Sequence, residues 1–164
     1  MNETDSSVQN KHWRIFLVVV DESEELNIAL SYACLRARNS GGRVALLYVM
    51  EPGEMQSFMM IEDIMREERR TEAEQVLQRH AKQVNEITGT LPILYLREGN
   101  RRDELMKLID EEPSVSILVL AAGTGPEGPG PLVSYLTGKA VGRLRIPLTI
   151  VPGSLTPDQL EAVT

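Results

Sequence analysis

Five apolar runs recur along the chain, separated by longer and more polar segments. They cover residues 13–20, 43–49, 92–96, 115–120 and 147–151. The first run, WRIFLVVV, shows no clean alternation of apolar and polar positions, which is typical of a strand buried on both faces. The pattern therefore predicts five strands, each followed by a segment that is long enough for a helix or that ends the chain.

The first two intervening segments carry helix signals. Ser23 is expected to cap the first helix, and Gly41 and Gly42 are expected to end it. The second segment, over about 55–88, has no glycine or proline and is rich in charged, helix-favouring residues. Gly89 follows directly and predicts its end.

The later segments predict three shorter helices. Asn100 is placed to cap one of them, and the helix after the glycine-rich stretch is expected to reach about Arg145. Near the end of the sequence, Thr156 and Gln159 have the spacing of a capping box. Strands alternating with helices indicate right-handed crossovers and a parallel sheet. In such sheets ligands bind beyond the carboxyl ends of the strands, where the strand order reverses.

Net charge and cysteine content argue against several classes of partner and site. Over 164 residues the net charge is −7, which argues against a nucleic-acid backbone or an anionic membrane as a partner. Cys34 is the only cysteine, so an intramolecular disulfide is impossible and a cysteine-built metal site is disfavoured.

The distribution of polar segments predicts a simple organisation. Residues 1–11 are polar and predict a disordered tail, 12–153 form one α/β domain, and 154–164 form a short helical extension. No apolar run approaches the roughly 18 residues that cross a bilayer, and the N-terminus lacks the apolar core of a signal peptide. The expected location is the cytoplasm.

Four sequence segments resemble one known family. VVVDESEE follows the first strand, LLYVMEP the second and ILVLAAGTGPEG the fourth, and PLTIVPG forms the last strand. Together they resemble the universal stress protein family over nearly all of 13–153. The resemblance implies an open five-stranded parallel sheet in the order 3-2-1-4-5 with helices on both faces, a Rossmann-like nucleotide-binding type.

The same resemblance implies partners and ligands. A homodimer would form through the last strand, at Leu148, Thr149, Ile150 and Val151. Many members bind ATP or AMP between the loops after strands 1 and 4, with Mg²⁺ where the ligand is ATP, and others bind no nucleotide. The family is associated with stress survival rather than with a defined catalytic turnover.

Two positions after the first strands match nucleotide-binding members. Asp21 matches an aspartate near the ribose, although a carboxylate there could equally help to cap the following helix. Val49 matches a position whose backbone meets adenine, and it would in any case belong to the core.

The glycine-rich stretch that begins at Gly123 admits two alignments with the family's phosphate-binding pattern. Gly125, Gly128 and Gly138 reproduce the glycine spacing, with Lys139 in place of the hydroxyl residue. Counting forward from the end of the fourth strand places Ala121 and Thr124 at the first two glycine positions, with Ser134 and Tyr135 at the third glycine and the hydroxyl residue. Counting back from Pro147 of the fifth strand gives Ser134 and Tyr135 again.

The composition of this stretch weakens it as a phosphate cradle. Pro126, Pro129 and Pro131 lack amide hydrogens, and Glu127 adds negative charge where a phosphate would bind. Three functions follow from these observations. The first is a dimeric regulatory module that can bind ATP or AMP. The second is a nucleotide-free module that binds an unknown protein partner and has a closed pocket. The third is a weak nucleotide hydrolase, for which no catalytic arrangement of residues is evident.

Overall fold

The computed structural model of the chain describes residues 13–52 and 59–164. The tail predicted over 1–11 lies outside the described residues. Residues 53–58, at the beginning of the second predicted helix, lie outside them as well.

Within the described residues, five parallel strands form a single sheet in the order β3-β2-β1-β4-β5, which confirms the predicted fold class and strand order. The strands are β1 Ile15–Val19, β2 Arg43–Met50, β3 Ile93–Glu98, β4 Val115–Ala122 and β5 Leu148–Pro152. The central strand β1 is buried along its whole length. It explains why the first apolar run lacks alternation, because both of its faces are covered.

In the part of the chain that the structure describes, five helices and one 3₁₀ turn connect or follow the strands. They are α1 Leu26–Ser40, α2 Met59–Thr88, α3 Arg101–Glu111, α4 Pro131–Thr137, the 3₁₀ turn Val141–Arg143 and α5 Pro157–Val163. No helix among the described residues combines the length and apolar character that crossing a bilayer requires.

The core consists of two apolar layers, one on each face of the sheet. Leu17 of β1 belongs to the layer covered by α3 and α4, whereas its neighbours Phe16 and Val18 belong to the layer covered by α1 and α2. Leu160 of α5 is buried in the second layer, so the C-terminal extension packs onto the domain. The capping box at Thr156 and Gln159 is confirmed in both of its hydrogen bonds.

The start of α1 differs from the prediction. The helix begins at Leu26, and the N-cap position belongs to Glu25, whose side chain makes no capping hydrogen bond. Ser23 is instead held by Asp21, because its hydroxyl donates to the Asp21 Oδ1 at 2.6 Å. The expectation that Ser23 caps α1 was therefore wrong.

The end of α4 also differs. The prediction extended this helix to about Arg145, but α4 ends at Thr137. Gly138 then adopts φ −102° and ψ −97°, outside the helical region. A glycine reaches such a conformation at little cost, so the chain leaves the helix there and continues as a 3₁₀ turn.

Candidate functional site

The strand order reverses between β1 and β4, and this reversal opens a crevice at the carboxyl end of the sheet. From β1 the chain moves outward through β2 and β3, and it then returns to β4 on the other side of β1. The segment 20–25 follows β1 and the glycine-rich loop 123–130 follows β4. We call the space between them the switch-point crevice, the region where open parallel sheets bind ligands.

On one wall of this crevice, β2 extends beyond the end of β1. The Val20 amide donates to the Leu47 carbonyl at 2.7 Å, and the Gly99 amide donates to the Met50 carbonyl at 2.9 Å on the opposite edge of β2. Alternate residues of a parallel strand bond to opposite neighbours. The N–H and C=O of Val49 are therefore directed to the side where β1 has already ended.

The opposite wall has the same property. The Gly153 amide donates to the Ala122 carbonyl at 2.9 Å, so Ala122 faces β5 and Ala121 faces the β1 side. The last residue of β4 paired with β1 is Val119. Ala121 is half-buried, whereas Val49 is only 3% exposed. Both walls thus present a backbone donor and acceptor, and the Val49 edge is covered in this structure.

Asp21 lies at the entrance of the crevice. Its Oδ1 accepts hydrogen bonds from the Ser23 amide at 2.9 Å and from the Ser23 hydroxyl at 2.6 Å. These bonds form a local turn ahead of α1 rather than a helix cap. Among the described residues no donor occupies Oδ2, so one carboxylate oxygen is left to accept from a ligand.

The glycine-rich loop uses some of its own amides internally. The Gly123 amide donates to the Pro129 carbonyl at 3.0 Å and the Gly128 amide donates to the Gly125 carbonyl at 3.2 Å. With Pro126 and Pro129 lacking amide hydrogens, half of the eight loop residues cannot donate to a phosphate. The loop is a poorer amide cradle than its glycine content suggests.

Glu25 fills the floor between this loop and the end of β5. A Cβ atom on Gly123 would lie 3.1 Å from the Glu25 Oε1, and one on Gly153 would lie 3.2 Å from the Glu25 Cγ. Both glycines therefore make room for the same carboxylate side chain. Its negative charge sits directly beside the loop amides that a phosphate would need.

Residues of both proposed glycine registers meet at the groove over the loop, but Gly138 and Lys139 of the first register do not. Ser134 in α4 lines the groove over the loop together with Gly123, Thr124, Gly125 and Gly128. Gly138 and Lys139 are exposed, beyond the far end of α4, and do not line it. Gly138 follows Ser134 by four residues, which is about 6 Å along the helix axis. The structure thus brings most candidate residues to this groove or to the adjacent cavity, and Val49, Gly138 and Lys139 line neither.

Sequence reasoning missed Arg101, which lies in the crevice as well. It is the first residue of α3, and it lines a cavity together with Asp21, Leu120 and Ala121. Its Nε is buried and has no hydrogen-bond partner. The sequence does hold one signal for it. Arg101 is a basic residue at the start of a helix, where the helix dipole favours acidic residues.

The space in the crevice is small and its surroundings are acidic. The cavity beside Asp21 and Arg101 has a volume of about 70 Å³, well below the roughly 300–1,000 Å³ of typical ligand pockets. The open groove above the loop is larger, about 810 Å³, and four carboxylates line it: Glu22, Glu24, Glu25 and Glu127. The cavity would have to widen before it could hold most of a nucleotide.

Other reactive side chains lie away from the crevice. Cys34 is fully buried on α1, and burial raises the pKa of its thiol to about 12, so the thiol is protonated at neutral pH. Within the described part of the chain, no group of three or more histidine, cysteine or acidic side chains is placed to hold a metal ion. The residues described therefore offer no preformed site for Mg²⁺.

The predicted dimer residues form one edge of the sheet. β5 pairs with β4 and lies at the end of the strand order. Leu148 and Thr149 are half-buried, Val151 is buried, and Ile150 is 38% exposed. An uncovered parallel edge with an apolar side chain is a surface that favours pairing with another strand.

Comparisons with known proteins agree on one fold. The sequence model of the Universal stress protein family matches residues 12–152. No curated protein matches the chain. Among solved structures, universal stress protein UspA from Lactobacillus plantarum is 16% identical with a TM-score of 0.70, covering 85% of this chain and 97% of that one.

Two further similar solved structures are complexes with nucleotides. A universal stress protein in complex with cAMP is 18% identical with a TM-score of 0.56, covering 87% of this chain and 99% of that one. The universal stress protein from Archaeoglobus fulgidus in complex with dAMP has the same identity and TM-score, covering 85% and 98%. At this identity the likeness establishes the fold.

Proposed function

The chain belongs to the universal stress protein family, and on that premise we propose that it is a cytoplasmic, homodimeric regulatory module of the stress response that binds an adenine nucleotide in the switch-point crevice. The ligand we propose is a monophosphate of the AMP class rather than Mg-ATP. Two similar solved structures are described as complexes with cAMP and dAMP.

The observation that carries this proposal is the backbone edge of β2 at Val49. Its N–H and C=O are directed to the side of β2 where β1 has already ended, as the bonds of Leu47 and Met50 imply. Adenine has a ring nitrogen that accepts beside an amino group that donates. A donor and an acceptor on one extended residue match that pair, and Asp21 Oδ2, which no described donor occupies, would accept from a ribose hydroxyl.

Charge and loop structure favour the monophosphate. Four carboxylates line the groove through which a triphosphate would extend, and half of the loop residues cannot donate an amide hydrogen. Each additional phosphate adds negative charge next to Glu25 and Glu127, which raises the cost of binding. A ligand with one phosphate avoids most of this repulsion.

A second candidate is a nucleotide-free interaction module. The covered Val49 edge and the 70 Å³ cavity favour it, since both describe a closed crevice. In that case the protein partner, still unidentified, would bind elsewhere on the surface and the loop would serve to keep the crevice shut.

Thermal unfolding with added ligands separates the two candidates. A ligand at about 100 times its Kd stabilises the native state by about 2.7 kcal/mol, which in a domain of this size is about 5–10 °C in Tm. AMP and adenosine should raise the Tm, and Mg-ATP at equal concentration should raise it less. GMP is the matched control, because its base places a carbonyl where adenine has an amino group.

One substitution tests the geometry. Asp21→Ala should weaken AMP binding about tenfold or more, because it removes a charged acceptor for the ribose. Asp110→Ala, at an exposed position of α3, removes the same charge elsewhere. If millimolar adenine ligands leave the Tm unchanged and no nucleotide co-purifies, the nucleotide-binding function is wrong and the interaction module is retained.

A further inference from the structure

Arg101 is a cation without an assigned partner. Its guanidinium Nε is buried and unpaired, and within residues 13–52 and 59–164 its side chain takes part in no ion pair or hydrogen bond. A buried polar group that gives up water without gaining a partner is costly. Such a group in a cavity indicates that a ligand completes its hydrogen bonds.

A second arginine shows how the fold treats a guanidinium that has a structural role. Arg43 also has a buried, unpaired Nε, but its NH2 donates to the Leu91 carbonyl at 2.9 Å. Its guanidinium carbon also lies 5.4 Å from the centre of the Trp13 ring. Arg43 is therefore engaged by its surroundings, whereas Arg101 lines a cavity and has no such partner among the described residues.

The position of Arg101 complements what the crevice lacks. Of the described residues that line the cavity or the groove over the loop, it is the only cation. It shares the cavity with Asp21, the proposed ribose acceptor, and with Ala121 at the end of β4. The amide cradle on the opposite side of the crevice is weakened by prolines and faces Glu25.

We infer that Arg101 is the phosphate-binding residue of the crevice and that it sets the preference for one phosphate over three. The inference rests on the proposed nucleotide function and deepens it. A guanidinium binds two oxygens of one phosphate through parallel N–H donors. With a single such group and carboxylates beyond it, the crevice can neutralise one phosphate and offers no cation to a second or third.

The experiment measures the affinities of AMP and adenosine for the full chain by calorimetry, and the AMP:adenosine ratio is the readout. Adenosine reports recognition of base and ribose, and the ratio reports the phosphate alone. Arg101→Gln should lower the ratio by about tenfold or more and leave the adenosine affinity within about twofold. Arg101→Lys, which keeps the charge without the fork of donors, should give an intermediate ratio.

Arg102→Gln is the matched control. It removes the same charge from the same first turn of α3, but Arg102 is exposed and its guanidinium lies over the Tyr135 ring at 5.0 Å. The ratio should not change in this variant. Ligand-free Tm values show that each variant is folded, and Arg101→Gln is expected to keep or raise the Tm because it removes the buried, unpaired Nε of a half-buried guanidinium.

The outcomes separate the two proposals. If the wild type binds adenosine but Arg101→Gln leaves the AMP:adenosine ratio unchanged, the phosphate role of Arg101 is wrong and nucleotide binding is retained. An equal loss of both ligands in Arg101→Gln also contradicts the inference, since it indicates a structural role. If the wild type binds neither ligand, the nucleotide function and the inference fall together.

Discussion

The absence of a side chain at Gly153 allows the ends of β4 and β5 to pack closely beside the crevice. Gly153 lies so close to β4 that a Cβ atom would overlap the Ala122 carbonyl oxygen and press on the Glu25 side chain. The backbone of Ala122 cannot withdraw, because its carbonyl accepts the Gly153 amide at 2.9 Å. Gly125, in the exposed loop, has open space at its Cβ position.

The two glycines should therefore respond differently to the same substitution. Gly153→Ala is expected to destabilise the protein by about 1–3 kcal/mol through overpacking, which lowers the Tm by several degrees. Gly125→Ala should stay within about 0.5 kcal/mol of the wild type, as surface substitutions usually do. Chemical denaturation of both variants gives the comparison. Equal effects at the two positions would show that the contact between β4 and β5 relaxes freely.

At the scale of elements, the N-cap of α3 at Asn100 fixes the position of Arg101, the first residue of that helix. Asn100 Oδ1 accepts from the amides of Arg102 and Asp103 at 3.1 and 3.2 Å. Its backbone is extended at φ −75° and ψ 129°, the usual geometry of an N-cap. The helix can start at Arg101 and nowhere else without losing these bonds.

Asn100→Ala is expected to cost about 0.5–2 kcal/mol of stability, because two amides of the first turn of α3 lose their acceptor. Asn100→Asp keeps an oxygen in the same place and should cost far less. Amide hydrogen exchange would locate the effect, with faster exchange confined to the first turn of α3 in the alanine variant. Uniformly faster exchange across the domain would contradict this local role.

The elements also show what the sequence reveals and what it withholds. The caps at Asn100 and Thr156 were predicted correctly because each depends on residues at most three positions away. The start of α1 was not, since Asp21 and the backbone compete for Ser23. The break of α4 at Gly138 was missed as well, because a glycine is compatible with continuing a helix and with leaving it. Arg101 gained meaning only once the fold placed it in a cavity formed by residues from three separate parts of the chain.

At the scale of the whole molecule, the two edges of the sheet differ in what they expose. β5 forms one edge and carries Ile150, which is 38% exposed. Near the other edge, just before β3, Leu91 is 63% exposed but lies outside a strand. Exposure alone would favour Leu91 as an interface residue, whereas strand pairing favours Ile150.

The proposed homodimer makes these two positions a matched pair. Ile150→Lys should convert a dimer into a monomer, because it places a charge in the centre of the paired edge strands. Leu91→Lys changes a more exposed residue by the same chemistry and should leave the dimer intact. Sedimentation equilibrium measures both masses. A wild-type monomer, or a dimer that survives Ile150→Lys, would exclude pairing through β5.

The narrowness of the cavity at Asp21 and Arg101 has a thermodynamic consequence for a regulatory protein. When only a fraction of molecules is open, the apparent Kd equals the intrinsic Kd divided by that fraction. A partner that binds only molecules with the glycine-rich loop open would increase the open fraction. It would therefore raise the apparent affinity for nucleotide without contacting the nucleotide. By linkage, nucleotide would raise the affinity for that partner by the same factor. The smaller the open fraction is without ligand or partner, the larger the factor by which a partner can raise the apparent affinity for nucleotide.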